Sequence, residues 1–169
     1  MLAYGPEQSV TIRSGLTALS MVELSTIEDD LAEGREPGIA ETLLSDALFL
    51  SQEAEVIDGQ RAILSVASAC EIKTKATLRQ GSDAGNPMLL DLVLGRVSNL
   101  AGLLNQPYAA VFGRPLSQED SDLFKKMQRI TKLRDLVIHR GESVDRTEAW
   151  QLAVAGRQLF ELLSRKLQA

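Results

Sequence analysis

The stretch LRDLVIHRG, residues 133–141, is the most informative part of the sequence about function, because it places a charge where helical periodicity calls for an apolar side chain. At roughly 100° per residue, the apolar residues at positions 123, 127, 130 and 137 form one stripe, and Arg134 projects from the middle of it. An unpaired buried guanidinium costs several kcal/mol. We therefore expect Arg134 to line either a cleft or an interface.

The chain around this stretch predicts an all-α bundle of about five helices. Only 4% of the residues are aromatic, so the core must consist of Leu, Ile, Val and Ala, which favours packed helices over a sandwich of sheets. Apolar residues recur at helical spacing in five stretches. The predicted helices run from Ile39 to a turn at Asp58-Gly59, from Gln60 to Gly81, from Asn86-Pro87 to Gln106-Pro107, from a capping box at Ser117 and Asp120 to Gly141, and from a cap at Asp145 to Leu167.

Two segments are predicted to be non-helical. Residues 107–115, which contain Tyr108 and Phe112, are expected to form a connecting loop between proline-marked ends. Residues 1–37 are expected to form an acidic appendage, with a short hairpin around Ser14-Gly15 or an extended segment as alternatives. The helical domain is then residues 38–169.

Charge is distributed unevenly along the chain. The net charge is −5, yet residues 1–59 hold 2 basic and 12 acidic side chains, whereas residues 125–140 hold 6 basic and 1 acidic. We call residues 125–140 the basic segment. Such a segment suits a partner that bears phosphate, although a solvated helix face gives the same pattern.

The sequence also bears on the cellular compartment in which the protein is expected. The single cysteine, Cys70, cannot form an internal disulfide and is expected in the core. No apolar run reaches the roughly 20 residues that a membrane-spanning helix needs, and no targeting segment is visible near the first residues. These features predict a cytoplasmic protein that does not associate with a membrane.

The segment Arg134-Asp135-Leu136-Val137-Ile138-His139 resembles the motif of the HEPN family, the higher eukaryotes and prokaryotes nucleotide-binding domains. That family carries an Arg, a polar residue directly after it, and a His four to six residues beyond the Arg near the end of a helix. The helix with Glu71, in the run ASACEI at residues 67–72, is similar to the family's Ala-rich helix bearing an inward Glu. The resemblance spans roughly residues 39–169.

The resemblance implies a HEPN-like fold and a metal-independent endoribonuclease, of the kind found in toxin–antitoxin and phage-defence systems. In this activity the ribose 2′-hydroxyl attacks the neighbouring phosphate. Arg134 and His139 would be catalytic and Asp135 would support them, because an imidazole moves protons near neutral pH and a guanidinium binds phosphate. No cofactor is expected, and one His and one Cys offer little for a metal.

The basic residues near the motif are candidates for contact with the RNA backbone. Lys132 lies within about 20° of His139 around the helix and would add affinity for phosphate. Arg129 and Arg140 are the other candidate phosphate-binding residues in the basic segment. Glu71 is expected to be a structural partner, for instance of a buried Arg134, rather than an acid or base.

Helix geometry complicates a site within one chain. Arg134 and His139 lie about 140° apart on an ideal helix, so they converge only through the long Arg side chain, a loosened last turn, or a second subunit. The family's solution is a homodimer that joins the motif helices across a two-fold axis. Asp135 lies four residues before His139 and could orient the imidazole.

Two alternatives to the nuclease remain open at the level of sequence. The chain could be a non-catalytic module that dimerises and binds a nucleotide or a partner protein, in which case His139 would merely cap its helix. It could also be an antitoxin or immunity-type partner, which its acidic pI of about 5.0 allows.

Overall fold

The computed structural model describes residues 38–52, 56–82, 94–97 and 99–168. The chain divides into two units, Met1–Glu36 and Pro37–Ala169, and all of the described residues belong to the second. The hairpin predicted around Ser14-Gly15 and the helix start predicted at Asn86-Pro87 lie outside the described residues.

The fold is all-α, as predicted, and the described residues include no β-strand. Seven helices have bounds within the described part of the chain. They are α1 (Ile39–Leu50), α2 (Val56–Gln80), α3 (Leu100–Leu103), α4 (Gln106–Phe112), α5 (Leu116–Glu119), α6 (Ser121–Arg140) and α7 (Arg146–Gln168). None of these helices is long and apolar enough to cross a membrane.

The turn predicted at Asp58-Gly59 is wrong, because both residues lie in the first turn of α2. Asp58 there suits the positive end of the helix dipole. Gly59 serves a close approach rather than a turn, since a Cβ at this position would stand 2.7 Å from the carbonyl oxygen of Val144. In a sequence, a glycine that allows another backbone to approach closely cannot be distinguished from a glycine in a turn.

The loop predicted for residues 107–115 is also wrong over residues 107–112, which belong to α4. Pro107 lies in the first turn of α4, where a missing backbone N–H costs nothing, so it helps to begin a helix rather than end one. The predicted capping box is shifted as well: Ser117 lies inside α5, and Asp120 caps α6 by accepting a bond of 2.9 Å from the Leu123 backbone N–H.

The two helix boundaries predicted nearest the motif, the start of α7 and the end of α6, are confirmed. Asp145 caps α7, with its side chain accepting from the Glu148 backbone N–H at 3.1 Å. Gly141 ends α6 with a positive φ of 63°, the left-handed conformation that glycine adopts at no steric cost. The position of the motif within its helix therefore follows the sequence prediction.

The core forms around α2 and α7, and both α1 and α6 pack against this pair. Gly156 of α7 allows the helices to approach closely, since a Cβ there would lie 2.6 Å from Val66 and 3.2 Å from the Leu44 side chain. The Cys70 sulfur lies at the same junction and is buried. Small residues thus set the spacing of α1, α2 and α7.

Ion pairs join the helices around this core. Lys73 of α2 binds Glu41 of α1 at 2.8 Å and lies 5.4 Å from the centre of the Phe160 ring on α7. Elsewhere Glu119 of α5 binds Lys166 of α7 at 2.6 Å and accepts a 3.1 Å bond from the Tyr108 hydroxyl. Burial, and then the charge of Glu119, raise the pKa of Tyr108.

Candidate functional site

In its last two turns α6 still packs against the core through Val137, but two other positions of its core-facing stripe lie at the surface. Met127 and Ile130 are buried, but Arg134 in the same stripe has a side chain that is 35% exposed. Ile138, one turn further on, is 51% exposed although it is apolar. One guanidinium and one isoleucine are thus exposed beside the part of α6 that still contacts the core.

His139 lies on a different face of α6 and is exposed. By helical geometry it is about 140° around the axis from Arg134, so a single chain holds the two motif residues apart. Among the residues that the structure describes, the imidazole of His139 has no hydrogen-bonding or ion-pair partner. It is free to interact with a ligand or with another chain.

Other groups close the C-terminal end of α6. The Gly141 N–H donates to the Val137 carbonyl at 3.0 Å, which satisfies one of the helix's last acceptors. The side-chain amide of Gln60, on α2, donates to the carbonyl oxygens of Gly141 at 3.0 Å and Glu142 at 2.8 Å. Gly141 thus caps α6 and Gln60 fixes the two residues that follow the helix, while His139 makes no hydrogen bond to the last carbonyl groups among the described residues.

The last turns of α6 extend beyond the start of α7. Arg129 meets Glu148 in the first turn of α7, and α6 continues for 11 more residues to Arg140, which is about 16 Å at 1.5 Å per residue. Residues 141–145 connect the two helices without helical structure, and Val144 is buried close to Gly59. The motif end of α6 is therefore held by α2 rather than by α7.

Asp135 is exposed and lies nearer to its neighbour than to the histidine. Its carboxylate is 3.5 Å from the Arg134 guanidinium. Within the described residues, His139 and Asp135 do not form the hydrogen bond that the sequence predicts. In one chain Asp135 partly neutralises Arg134 instead of orienting the imidazole.

Glu71 does not pair with Arg134, which was the suggested partner. Its carboxylate binds Lys75, one turn along α2, at 2.6 Å. An i, i+4 pair within one helix forms from local geometry alone. Glu71 therefore keeps a structural role, but the role is to stabilise its own helix.

The three candidate phosphate-binding residues differ in how available they are. Lys132 and Arg140 are exposed, and no carboxylate within the described ranges binds them. Arg129 donates to both carboxylate oxygens of Glu148, at 2.7 and 3.1 Å. The hydrogen bonds that Arg129 donates to Glu148 raise the pKa of Arg129 although partial burial opposes them, so phosphate must compete with this carboxylate.

Gln60 and Ile138 are the residues of this site that sequence reasoning missed. Gln60 appears in the sequence only as a polar residue at a helix start, and its partners are more than 80 positions away. Ile138 sits at the edge of an apolar stripe, which predicts burial. Neither role has a local signal, because both depend on how the end of α6 packs against the rest of the domain.

The described residues contain no group of three or more His, Cys, Asp or Glu side chains that could hold a metal ion. Comparison with known proteins adds no assignment: no family model, curated protein or solved structure matches this chain.

Proposed function

We propose that this protein is a metal-independent endoribonuclease of the HEPN type whose site forms between two copies of the chain. The observation that carries the proposal is the end of α6, where Gly141 caps the helix and His139 is exposed with no partner among the described residues. A histidine that binds none of the described residues is available for chemistry. The motif resemblance of residues 134–139 supplies the reaction class.

The chemistry is phosphoryl transfer within the RNA strand. The 2′-oxygen forms a bond to the adjacent phosphorus and loses its proton to a base, while the bond from phosphorus to the 5′-oxygen breaks and that oxygen gains a proton. His139 moves these protons, and Arg134 binds the phosphate oxygens as negative charge grows on them. Two copies of α6 supply both groups to one phosphate, since a single helix holds them about 140° apart.

The apolar exposure beside the motif supports a homodimer. Ile138 lies one turn from Arg134 on the face that is buried earlier in α6. An isologous contact would cover both isoleucines and bring the two motifs together. Lys132 and Arg140, which border His139, would then flank the RNA backbone.

A gel assay of RNA cleavage in the presence of a chelator tests the proposal. We expect His139→Ala and Arg134→Ala each to reduce cleavage by at least about 100-fold, in line with the loss of a general acid–base group or an oxyanion donor. Arg157→Ala is the matched control, because Arg157 is an exposed α7 arginine in an i, i+4 pair. Cleavage that persists in both motif variants, with helicity and self-association intact, would end the proposal.

The cellular role proposed with this activity is that of a cytoplasmic toxin or phage-defence effector. Induced expression should then arrest bacterial growth, and His139→Ala should relieve the arrest. An antitoxin would be a protein that covers the end of α6.

A non-catalytic module for dimerisation and partner binding is the second candidate. Two observations favour it: Asp135 lies 3.5 Å from the Arg134 guanidinium, and Glu148 occupies Arg129. In that case purified protein would bind its partner equally well with His139→Ala, whereas Ile138→Glu would abolish binding. The two variants together separate the candidates.

A further inference from the structure

A small cavity opens beside α6 at a distance from the motif. It has a volume of about 270 Å³ and is lined, among the described residues, by Lys126 of α6 and by Trp150, Gln151, Leu152 and Val154 of α7. This volume lies below the roughly 300–1,000 Å³ of pockets that enclose drug-sized ligands. The cavity therefore suits a single ring-sized group rather than a large cofactor.

The lining combines three kinds of group. Trp150, which is the chain's only tryptophan and is half-buried, provides an aromatic surface. Lys126 provides a cation, and Gln151 provides an amide with both donors and an acceptor. An aromatic face next to a cation is the combination that proteins use to hold an unstacked base and its phosphate.

Lys126 is the cation available at this cavity. Within the described part of the chain it has no carboxylate at ion-pair distance, whereas its neighbour Lys125 binds Asp122 at 3.2 Å. Both lysines belong to the basic segment, so an anion drawn to this helix meets Lys126 without displacing a protein carboxylate.

We propose that this cavity binds one unstacked nucleobase of single-stranded RNA, with the base against Trp150, its edge on the Gln151 amide and its phosphate on Lys126. The inference rests on the proposed ribonuclease function, because it assigns a substrate subsite to the same helix. Lys126 is 13 residues from His139, or about 20 Å along α6. The base is therefore several nucleotides from the bond that is cut, and the subsite selects unpaired RNA.

The chain's single tryptophan makes the proposal testable by its own fluorescence. Tryptophan emission is recorded while a short single-stranded RNA with 2′-O-methyl groups, which cannot be cleaved, is titrated into the full chain. We expect saturable quenching that the blunt duplex of the same sequence does not produce, because bases in a duplex are not free to stack on a side chain. Lys126→Gln should weaken the apparent affinity at least about tenfold more than Lys125→Gln does.

Binding can also be measured with a fluorescently labelled RNA, so that the signal does not come from Trp150. By fluorescence anisotropy, Trp150→Leu should lose about tenfold in affinity for the single strand and little for the duplex, since stacking on an aromatic residue is specific to unpaired bases. Circular dichroism checks that this variant remains folded; if it does not, Gln151→Ala replaces it with the same expected preference.

The outcomes separate this subsite from the nuclease. No quenching by single-stranded RNA, or equal losses from Lys126→Gln and Lys125→Gln, overturns the subsite even if the wild-type protein cleaves RNA. Quenching that requires Lys126 supports the subsite even if no RNA is cut, in which case the nuclease proposal fails alone. Equal quenching by duplex and single strand overturns the assignment to an unpaired base.

Discussion

The Gln60 side-chain amide donates a hydrogen bond of 3.0 Å to the carbonyl oxygen of Gly141, which joins the first turns of α2 to the residue that ends α6. The same amide donates to Glu142 at 2.8 Å. Two acceptors just beyond the helix are thereby satisfied from another element. The direction of the motif end of α6 is consequently set by α2.

Replacing Gln60 with Ala should lower the free energy of unfolding by about 1 kcal/mol, because two partly exposed hydrogen bonds between elements are lost. RNA cleavage should fall as well, since the end of α6 loses its anchor. Urea unfolding and the cleavage assay measure the two effects. Gln52→Ala is the control, because its amide bonds only the Leu48 carbonyl one turn earlier; equal losses in both variants would contradict the anchoring role.

Gly156→Ala should destabilise the bundle by about 1–3 kcal/mol, the cost typical of overpacking. The new methyl group would stand 2.6 Å from Val66, and the gain in helix propensity of about 1 kcal/mol does not offset that clash. Gly95→Ala is the matched control, since a Cβ at Gly95 meets nothing within 4 Å. Thermal or urea unfolding compares them, and a stabilised Gly156→Ala would show that the junction of α1, α2 and α7 is looser than described.

Cys70 should resist thiol reagents in the folded protein. The side chain is fully buried, and burial raises the pKa of its thiol to about 12, so little thiolate forms at neutral pH. An unfolded thiol ionises at a lower pH than the folded one, so the unfolded state binds fewer protons between about pH 9 and 12 and stability falls across that range. Labelling with an aromatic disulfide, with and without denaturant, measures the protection; rapid labelling without denaturant would contradict it.

Ile138→Glu should weaken self-association by at least about tenfold, because two carboxylates would be buried at an isologous contact. Sedimentation measured over a range of protein concentrations gives the dissociation constant. Phe49→Glu is the control, since Phe49 is an exposed apolar side chain (64%) on a different helix, α1. If Phe49→Glu weakens association and Ile138→Glu does not, the dimer forms through another surface.

The sequence predicted well those elements whose structure depends on residues nearby in the chain. Asp145 and Gly141 were placed correctly because a cap and a left-handed residue depend only on nearby backbone. The all-α class follows from helical spacing and from the scarcity of aromatic residues. Gly59 and Pro107 were misread because glycine and proline serve close approaches and first turns as well as breaks, and only the tertiary fold selects between these uses.

In the candidate site as well, the features that have a local signal were predicted and those set by the tertiary fold were not. Arg134 at the edge of the core and the end of α6 after His139 both follow from periodicity and capping. The partner of Arg129 did not follow, because Glu148 belongs to another helix and comes within reach only through helix packing. The partner of Glu71 is the exception, a local i, i+4 pair with Lys75 that was not considered from the sequence. The Trp150 cavity had no signal in the sequence, since its lining comes from two helices.

The burial of Cys70, the chain's only cysteine, makes the protein convenient for site-directed spin labelling. A cysteine introduced on the surface, for example as Arg157→Cys, would present a single accessible thiol without removal of the native one. Dipolar distances between the labels on two copies would then report the geometry of an assembly directly.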